Sequence, residues 1–241
     1  MTANVLTRRA STVAIVLAVL VASRLGTSTI SADEWSLPEP ASFHARGMLL
    51  VAEVFPPASR QNSGSRARCY FYEVGYPGTR WEVKPQLKWQ GLLANERMPV
   101  EAVVSMDGWL VTLNEWGGTG KAHAIVVYDR RGRLVADWSG DQLFADPALK
   151  NIARARMSMS SIWWNEKATY YFSRANTLFI KLPTDVVIRI DLAGGAYRVG
   201  PPSAFRDYAA VAADAAALTE VWKTSLRFSS ITDNLAVHAG R

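Results

Sequence analysis

Apolar and polar positions alternate, or form short apolar runs, through most of the chain between about residues 47 and 200. The runs are rich in Val, Ile, Leu, Tyr and Trp, and turns containing Gly, Pro or Asp separate them. Short β-branched and aromatic runs bounded by such turns are typical of β-strands. The pattern therefore predicts a mostly β protein built from antiparallel strands.

One arrangement of strands recurs three times: a strand, a connection, a second strand, a tight turn and a third strand. The tight turns contain residues that adopt positive φ at low cost, such as Gly132. Repeated antiparallel units predict a β-propeller-like array or sandwich repeats. The three copies comprise 48–54, 69–74 and 80–84; 109–113, 124–129 and 133–138; and 178–182, 186–191 and 196–199.

Two stretches carry a resemblance to known proteins. "VSMDGWLVTLN" resembles the strand–Asp-Gly–strand step of β-propeller blades, and "VVYDRRGRLV" and "VIRIDLAGGAYRV" resemble the hairpins that follow it. Over roughly residues 99–200 the chain is also similar to exported bacterial proteins of uncharacterised function with a "VVTL/F-[ND]-x-W" stretch. The resemblance implies propeller-like blades. Closed propellers have at least four blades, so three copies leave a sandwich or an open, curved sheet as the alternative.

Two helices are predicted among the strands. In "ADPALKNIARARM", Asp146 is placed as the N-cap and Pro147 as the first helical residue. In a segment assigned to 205–228, apolar residues recur at spacings of three and four, which predicts a helix packed on the sheet. The alternative is a helix on a membrane surface, against which three acidic residues argue. The apolar face comprises Tyr208, Val211, Ala215, Leu218 and Trp222.

The N-terminus has the pattern of a secretory signal peptide. Arg8 and Arg9 precede an apolar run, and small residues follow up to Ala32. Cleavage is expected after Ala32, or alternatively near Ala22, and an uncleaved membrane anchor is the other interpretation. The expected organisation is a signal peptide at 1–32, a β domain at 33–204, the C-terminal helix and a tail at 229–241. Export predicts a periplasmic or extracellular location.

Charge and cysteine content exclude some functions. After residue 32 the chain has 24 basic and 21 acidic residues, a net charge of +3 without a basic cluster. That balance does not favour nucleic-acid binding. Cys69 is the only cysteine, so an exported chain would have no internal disulfide. Its placement in a strand predicts a packed apolar side chain rather than a nucleophile.

"GGTGKA" is the nearest approach to a catalytic motif, but it lacks the features of a phosphate-binding loop. That loop requires a first glycine where Glu115 stands, and a Ser or Thr where Ala122 stands. A phosphate-binding loop also precedes a helix, whereas a β-branched run follows "GGTGKA". No G-x-S-x-G motif is present, and the isolated His44, His123 and His238 have no metal-site spacing. The sequence predicts no cofactor and no metal.

The remaining candidates for a binding site are acids and tryptophans. Four carboxylates could supply an acid/base pair, although Asp near a turn is usually explained by local hydrogen bonds. Adjacent tryptophans cannot both face inward on a regular strand, so Trp163 or Trp164 is expected to be exposed, covered by another element or placed at a bulge. The carboxylates are Glu115, Asp129, Asp137 and Asp141. The ligand-binding residues predicted from the sequence are Glu115, Trp116, Asp129, Trp163 and Trp164.

The function predicted from these features is non-catalytic binding or scaffolding by an exported protein, with a protein or glycan as partner. A carbohydrate-binding module or carbohydrate-active hydrolase is the alternative, because indole rings stack on sugars. No membrane span is expected after signal cleavage.

Overall fold

A computed structural model describes residues 38–45, 49–58, 65–75, 84–117, 122–157 and 161–223. Several segments discussed above lie outside these ranges: the signal peptide at 1–32, the strand residues 80–83, the loop residues 118–121, the end of the C-terminal helix at 224–228, the tail at 229–241, and His238.

The fold is mostly β, with three separate four-stranded antiparallel sheets. Within each sheet the strands are neighbours in chain order, so each sheet is a simple meander. The first sheet comprises β1 (Ala41–His44), β2 (Leu50–Phe55), β3 (Arg68–Gly75) and β4 (Lys84–Leu92). The second comprises β5 (Pro99–Val104), β6 (Leu110–Glu115), β7 (Ile125–Tyr128) and β8 (Leu134–Trp138). The third comprises β9 (Thr169–Ser173), β10 (Thr177–Lys181), β11 (Val187–Asp191) and β12 (Ala196–Gly200).

The second and third copies of the three-strand repeat predicted from the sequence form the second, third and fourth strands of their sheets. In the first copy, 48–54 and 69–74 correspond to β2 and β3, but the third strand, predicted at 80–84, shares only Lys84 with β4. The structure adds a first strand to every copy, at β1, β5 and β9. β4 differs most from expectation, because it runs to Leu92 rather than ending at Lys84. Its sequence, "KPQLKWQGL", is only weakly apolar, as suits an edge strand, since among the described strands β4 pairs only with β3. Within the described ranges the sheets do not close into a ring.

The sheets stack face to face as successive layers. One core cluster joins the first sheet to the second, and includes Val54 and Phe71 from one side and Leu110 from the other. A second cluster fills the space between the second and third sheets. The outer face of the third sheet packs against the C-terminal helix through Phe179 and Tyr208. The second sheet is therefore the middle layer, covered on both faces.

Strands β6 and β7 show this two-sided burial most clearly, because every residue in both strands is buried. Successive side chains on a strand point to opposite faces. Leu110 and Val126 accordingly belong to the cluster shared with the first sheet, whereas Val111 and Ile125 belong to the one shared with the third. Continuous apolar runs, rather than strict alternation, are what a strand buried on both faces requires.

Two buried polar side chains of the middle sheet, Thr112 and Tyr128, form hydrogen bonds. The Thr112 hydroxyl donates to Asn95 Oδ1 at 2.9 Å. The Ala94 backbone N–H donates to the Tyr128 hydroxyl at 2.6 Å. These bonds tie the segment between β4 and β5 to the middle sheet.

The helices occupy the connections and the C-terminus. α1 (Gly140–Leu143) is a single turn capped by Ser139, and the sequence did not indicate it. α2 (Pro147–Ala155) begins as predicted, because Asp146 is its N-cap and accepts from the backbone N–H of Ala148. α3 (Tyr208–Lys223) follows a short 3₁₀ turn at Pro202–Ala204. The predicted packing of Tyr208 and Val211 on the third sheet is confirmed.

None of the helices in the described ranges has the length and apolar character needed to cross a bilayer.

A close contact joins the first sheet to a turn of the second. Gly132, in the turn between β7 and β8, has φ +74° and lies against the indole of Trp89. A Cβ placed at Gly132 would approach Trp89 Cδ2 to 2.7 Å. Trp89 is itself held by stacking on Phe71, with ring centroids 5.2 Å apart and planes 9° from parallel. The turn therefore requires glycine for its backbone conformation and for space.

We expect Gly132→Ala to destabilise the protein by about 2 kcal/mol, since it adds backbone strain and a clash with Trp89. Urea unfolding followed by tryptophan fluorescence would measure the change. Gly91→Ala is the matched control, because nothing lies within 4 Å of a Cβ there. An equal loss of stability in both variants would contradict the account of Gly132.

Candidate functional site

The five ligand-binding residues predicted from the sequence come from three segments of the chain, two of which meet at the end of β6, because Asn114 Nδ2 donates to the Ile162 carbonyl at 2.7 Å. Glu115 ends β6 and Trp116 follows it, at the end of the middle sheet where β7 begins. Asp129 follows β7, at the opposite end of the same sheet. Trp163 and Trp164 lie in the segment between α2 and β9. The structure thus brings Glu115 and Trp116 together but separates them from Asp129, and a ligand-binding role for the five stays a prediction.

Asp129 is occupied by local hydrogen bonds. Its Oδ1 accepts from the backbone N–H groups of Arg131 and Arg133, at 2.8 and 2.9 Å. Its Oδ2 accepts from Arg133 Nε at 2.6 Å. Burial alone would raise the pKa of Asp129, but the backbone and guanidinium of Arg133 and the backbone of Arg131 together lower it. This carboxylate stabilises the turn between β7 and β8.

The adjacent tryptophans do not lie on a regular strand. Trp164 is 1% exposed and belongs to the core between the second and third sheets. Its indole N–H has no hydrogen-bond partner among the described residues. Trp163 is half-buried, and its backbone N–H donates to the Arg156 carbonyl at 3.0 Å. Trp163 is thus the more exposed member of the pair, but both residues lie outside the described strands, so the alternation on which the prediction was based does not apply to them.

Glu115 lies in a polar pocket at the end of β6, where it is 6% exposed. The backbone N–H of Arg97 donates to its Oε1 at 3.4 Å. Burial raises the pKa of Glu115, and the nearby His123 and the backbone N–H of Arg97 partly offset that rise. Trp116 is half-buried beside it, and packs against the core of the first and second sheets.

His123 and Asp137 form an ion pair at the same end of the middle sheet. His123 Nδ1 lies 2.9 Å from Asp137 Oδ2, and both side chains are partly exposed. The hydrogen bond with Asp137 raises the pKa of His123, burial opposes the rise, and the charges of Asp137, Glu115 and Glu96 add to it. Sequence reasoning missed this pair, because 14 residues separate its members. Only the pairing of β7 with β8 brings them together.

This acid–histidine cluster can exchange a proton, since a carboxylate that orients an imidazole is a common general-base arrangement. It does not form a metal site, because the part of the chain that the structure describes contains no group of three His, Cys, Asp or Glu residues arranged to hold an ion. Cys69 is fully buried in β3, and burial raises the pKa of its thiol. A thiolate nucleophile is therefore disfavoured there.

A cavity of about 920 Å³ opens where β1, β5 and β9, the first strands of the three sheets, meet α3. Its walls include six consecutive residues of the β5 hairpin (102–107) and five of the β9 hairpin (170–174). β1 contributes His44, and α3 contributes Val211, Asp214 and Ala215. A volume of this size suits a small organic ligand.

Aromatic side chains and a few polar groups line the cavity. Trp109 is held in place because its Nε1–H donates to Asn176 Oδ1 at 3.1 Å, which joins the second sheet to the third. Tyr171 and Phe172 are half-buried beside it. His44 Nδ1 is buried and has no partner among the described residues, and burial lowers the pKa of His44. Sequence reasoning missed this cavity, although the similar hairpins "VVSMDGW" and "YFSRANT" both contribute to it.

A buried polar link fixes the spacing of the two strands beside the cavity. Tyr170 on β9 donates its hydroxyl proton to Glu101 Oε2 on β5 at 2.5 Å, and Asn165 Nδ2 donates to the same oxygen at 3.2 Å. Burial raises the pKa of Glu101, and these two hydrogen bonds partly offset the rise. The link joins the first strands of adjacent sheets directly.

Comparison of the chain with models of known protein families, with curated proteins and with solved structures finds no match.

We expect the NMR titration of His123 to give a pKa above 6.5, and that of His44 to give one below 6.5. Asp137→Asn should lower the pKa of His123, since the neutral amide no longer favours the imidazolium. The raised pKa means that the ion pair stabilises the fold fully below pH 6.5, and that this contribution is lost as pH rises through the folded-state pKa.

Asp107→Asn provides the control, because Asp107 is an exposed acid at the opposite end of the sheet. It should leave the His123 titration unchanged. An unaltered titration in Asp137→Asn would show that the pair does not form in solution.

Proposed function

We propose that this chain is an exported protein that binds a ligand, without transforming it, in the cavity between β5, β9 and α3. The observation that carries the proposal is the cavity itself, which combines about 920 Å³ of volume with aromatic walls and a few polar groups. Known ligand pockets have volumes in this range and combine apolar and aromatic walls with a few polar groups. Scaffolding between larger partners would not require a cavity of this volume.

Export rests on the sequence of the first 32 residues, which has the order of charges, apolar run and small residues found in signal peptides. The expected location is periplasmic or extracellular. A bacterial origin rests on the resemblance to exported bacterial proteins.

The acids argue for binding rather than catalysis at this cavity. Asp107 and Asp214 line it, but both are exposed to solvent. The acid–histidine cluster of Glu115, His123 and Asp137 lies at the other end of the middle sheet.

The architecture proposed for this function is an open, propeller-like array. Each sheet is a four-stranded meander, which is the form of a propeller blade, and the first strand of every sheet contributes to the same cavity. α3 covers the outer face of the third sheet, where a further blade would pack. A stack of sandwiched sheets is the alternative description.

A glycan is the second candidate ligand. Trp109, Tyr171 and Phe172 offer aromatic surface in the cavity, and the carboxylates of Asp107 and Asp214 could accept hydrogen bonds from hydroxyl groups. A carbohydrate-active hydrolase would additionally require two of the carboxylates to act on one bond.

The binding function is tested with the residue 33–241 chain and the apolar fluorophore 1-anilinonaphthalene-8-sulfonate. We expect saturable binding at one site, and a loss of affinity of about ten-fold or more in Asp214→Trp, because the indole would occupy cavity volume. Ala213→Trp is the matched control, since Ala213 is exposed on α3 and does not line the cavity. Equal affinity in the wild type and both variants would contradict binding in this cavity.

Soluble oligosaccharides then distinguish the two candidate ligands. Displacement of the fluorophore by a glycan would support the second candidate. Hydrolysis of that glycan, abolished by Asp107→Asn or Asp214→Asn, would replace binding with catalysis.

A further inference from the structure

The two main walls of the cavity are strand edges. Among the described strands, β5 pairs only with β6, and β9 pairs only with β10. Each therefore has one edge whose backbone groups are not used by its own sheet. An open edge of this kind is a ready template for another extended chain.

The lining shows that these edges face the cavity. Side chains on a strand alternate between two faces, so a cavity on one face would be lined by every second residue. Here Ala102, Val103 and Val104 line it consecutively, and so do Tyr170, Tyr171 and Phe172. Consecutive residues can share a cavity only where the strand presents its backbone edge to it.

The hydrogen-bond pattern identifies the free groups on β5. The backbone N–H of Ser105 donates to the Trp109 carbonyl at 2.9 Å, so the backbone groups of Ser105 point toward β6. Backbone groups alternate in direction along an antiparallel strand. The backbone groups of Val103 therefore point toward β6 as well, while the N–H and C=O groups of Ala102 and Val104 point away from it.

The β9 hairpin repeats this arrangement. Ser173 pairs with Thr177 across a turn of three residues, as Ser105 does with Trp109. The last turn residue has positive φ in both hairpins, at Gly108 (φ 89°) and Asn176 (φ 54°). By this correspondence, the backbone groups of Tyr170 and Phe172 point away from β10 and toward the cavity.

We propose that the ligand of this cavity is a short peptide in extended conformation, bound by backbone hydrogen bonds to the open edges of β5 and β9. The inference rests on the proposed binding function and specifies the ligand class. Adding a strand to a sheet edge is a general mode of peptide recognition, in which the main chain provides affinity and adjacent pockets select side chains. The residues from Ala102 to Ser105 span roughly 10 Å, which matches about three or four peptide residues.

The remaining lining residues fit such a ligand. Leu192 and Val211 provide apolar surface for small side chains. The lining also includes exposed charges of both signs, from Arg174 and from Asp107 and Asp214. The basic residue suits the carboxylate of a free peptide terminus, and the acidic residues suit the amino group. A peptide with free termini is therefore preferred to one with blocked termini.

The test uses isothermal titration calorimetry with the tetrapeptide Ala-Val-Ala-Val and the full chain. We expect measurable binding, with an affinity about ten-fold or more higher than that of the same peptide methylated at alternate amide nitrogens, because methylation removes donors without removing side chains. The acetylated and amidated peptide should bind more weakly than the free one. Equal affinity of the methylated peptide would overturn edge pairing.

A pair of variants tests the protein side. Ala102→Pro removes a backbone N–H that faces the cavity and leaves the bonds to β6 in place, which an edge strand tolerates. It should weaken peptide binding about ten-fold, whereas Ala102→Ser keeps the N–H and should bind as the wild type does. The methylated peptide tests the same contact on the wild-type chain, so the result does not depend on the folding of Ala102→Pro.

The outcomes separate this inference from the proposed function. Fluorophore binding that Asp214→Trp weakens, together with no binding of the tetrapeptide, would overturn the peptide inference and leave the binding function standing. Absence of both would overturn both. Displacement of the fluorophore by the tetrapeptide, but not by its methylated form, would support the inference.

Discussion

The two-sided burial of β6 and β7 is the constraint on which the rest of the structure depends. Every residue of these strands is buried, so the middle sheet needs a covering layer on each face. The first sheet supplies one and the third sheet the other. The third sheet then has an apolar outer face of its own, which α3 covers through Tyr208 and Val211. The order of the layers follows from the need to bury each apolar face in turn.

Stacking in this manner leaves the strand edges rather than the sheet faces available for binding. The sheet faces are covered by packing against neighbouring layers, whereas β5 and β9 each retain an edge that their own sheets do not use. The bond from Tyr170 to Glu101 sets the separation of those strands, and the bond from Trp109 to Asn176 joins the hairpins beside them. Both links cross between sheets, so the cavity is held by tertiary contacts on either side.

The candidate sites show where sequence reasoning succeeds and where it fails. Asp129 could be interpreted as a turn residue from its sequence neighbours alone. The hydrogen bonds of Asp129 to Arg131 and Arg133 agree with that interpretation. The pair of His123 and Asp137 could not be found that way, because nothing in either local sequence indicates the other. In the sequence His123 is isolated, and its carboxylate partner comes from the adjacent strand.

The sequence by itself determined the local elements: the β-rich pattern, the turns at Gly108 and Gly132, and the start of α2 at Asp146. Each depends on conformational preferences and hydrogen bonds within a few residues, which composition and spacing reveal. Only the tertiary structure decided which face of each sheet meets which layer, and that β5 and β9 face one cavity. Those outcomes depend on contacts between residues far apart in the chain, such as Glu101 and Tyr170, for which no local pattern exists.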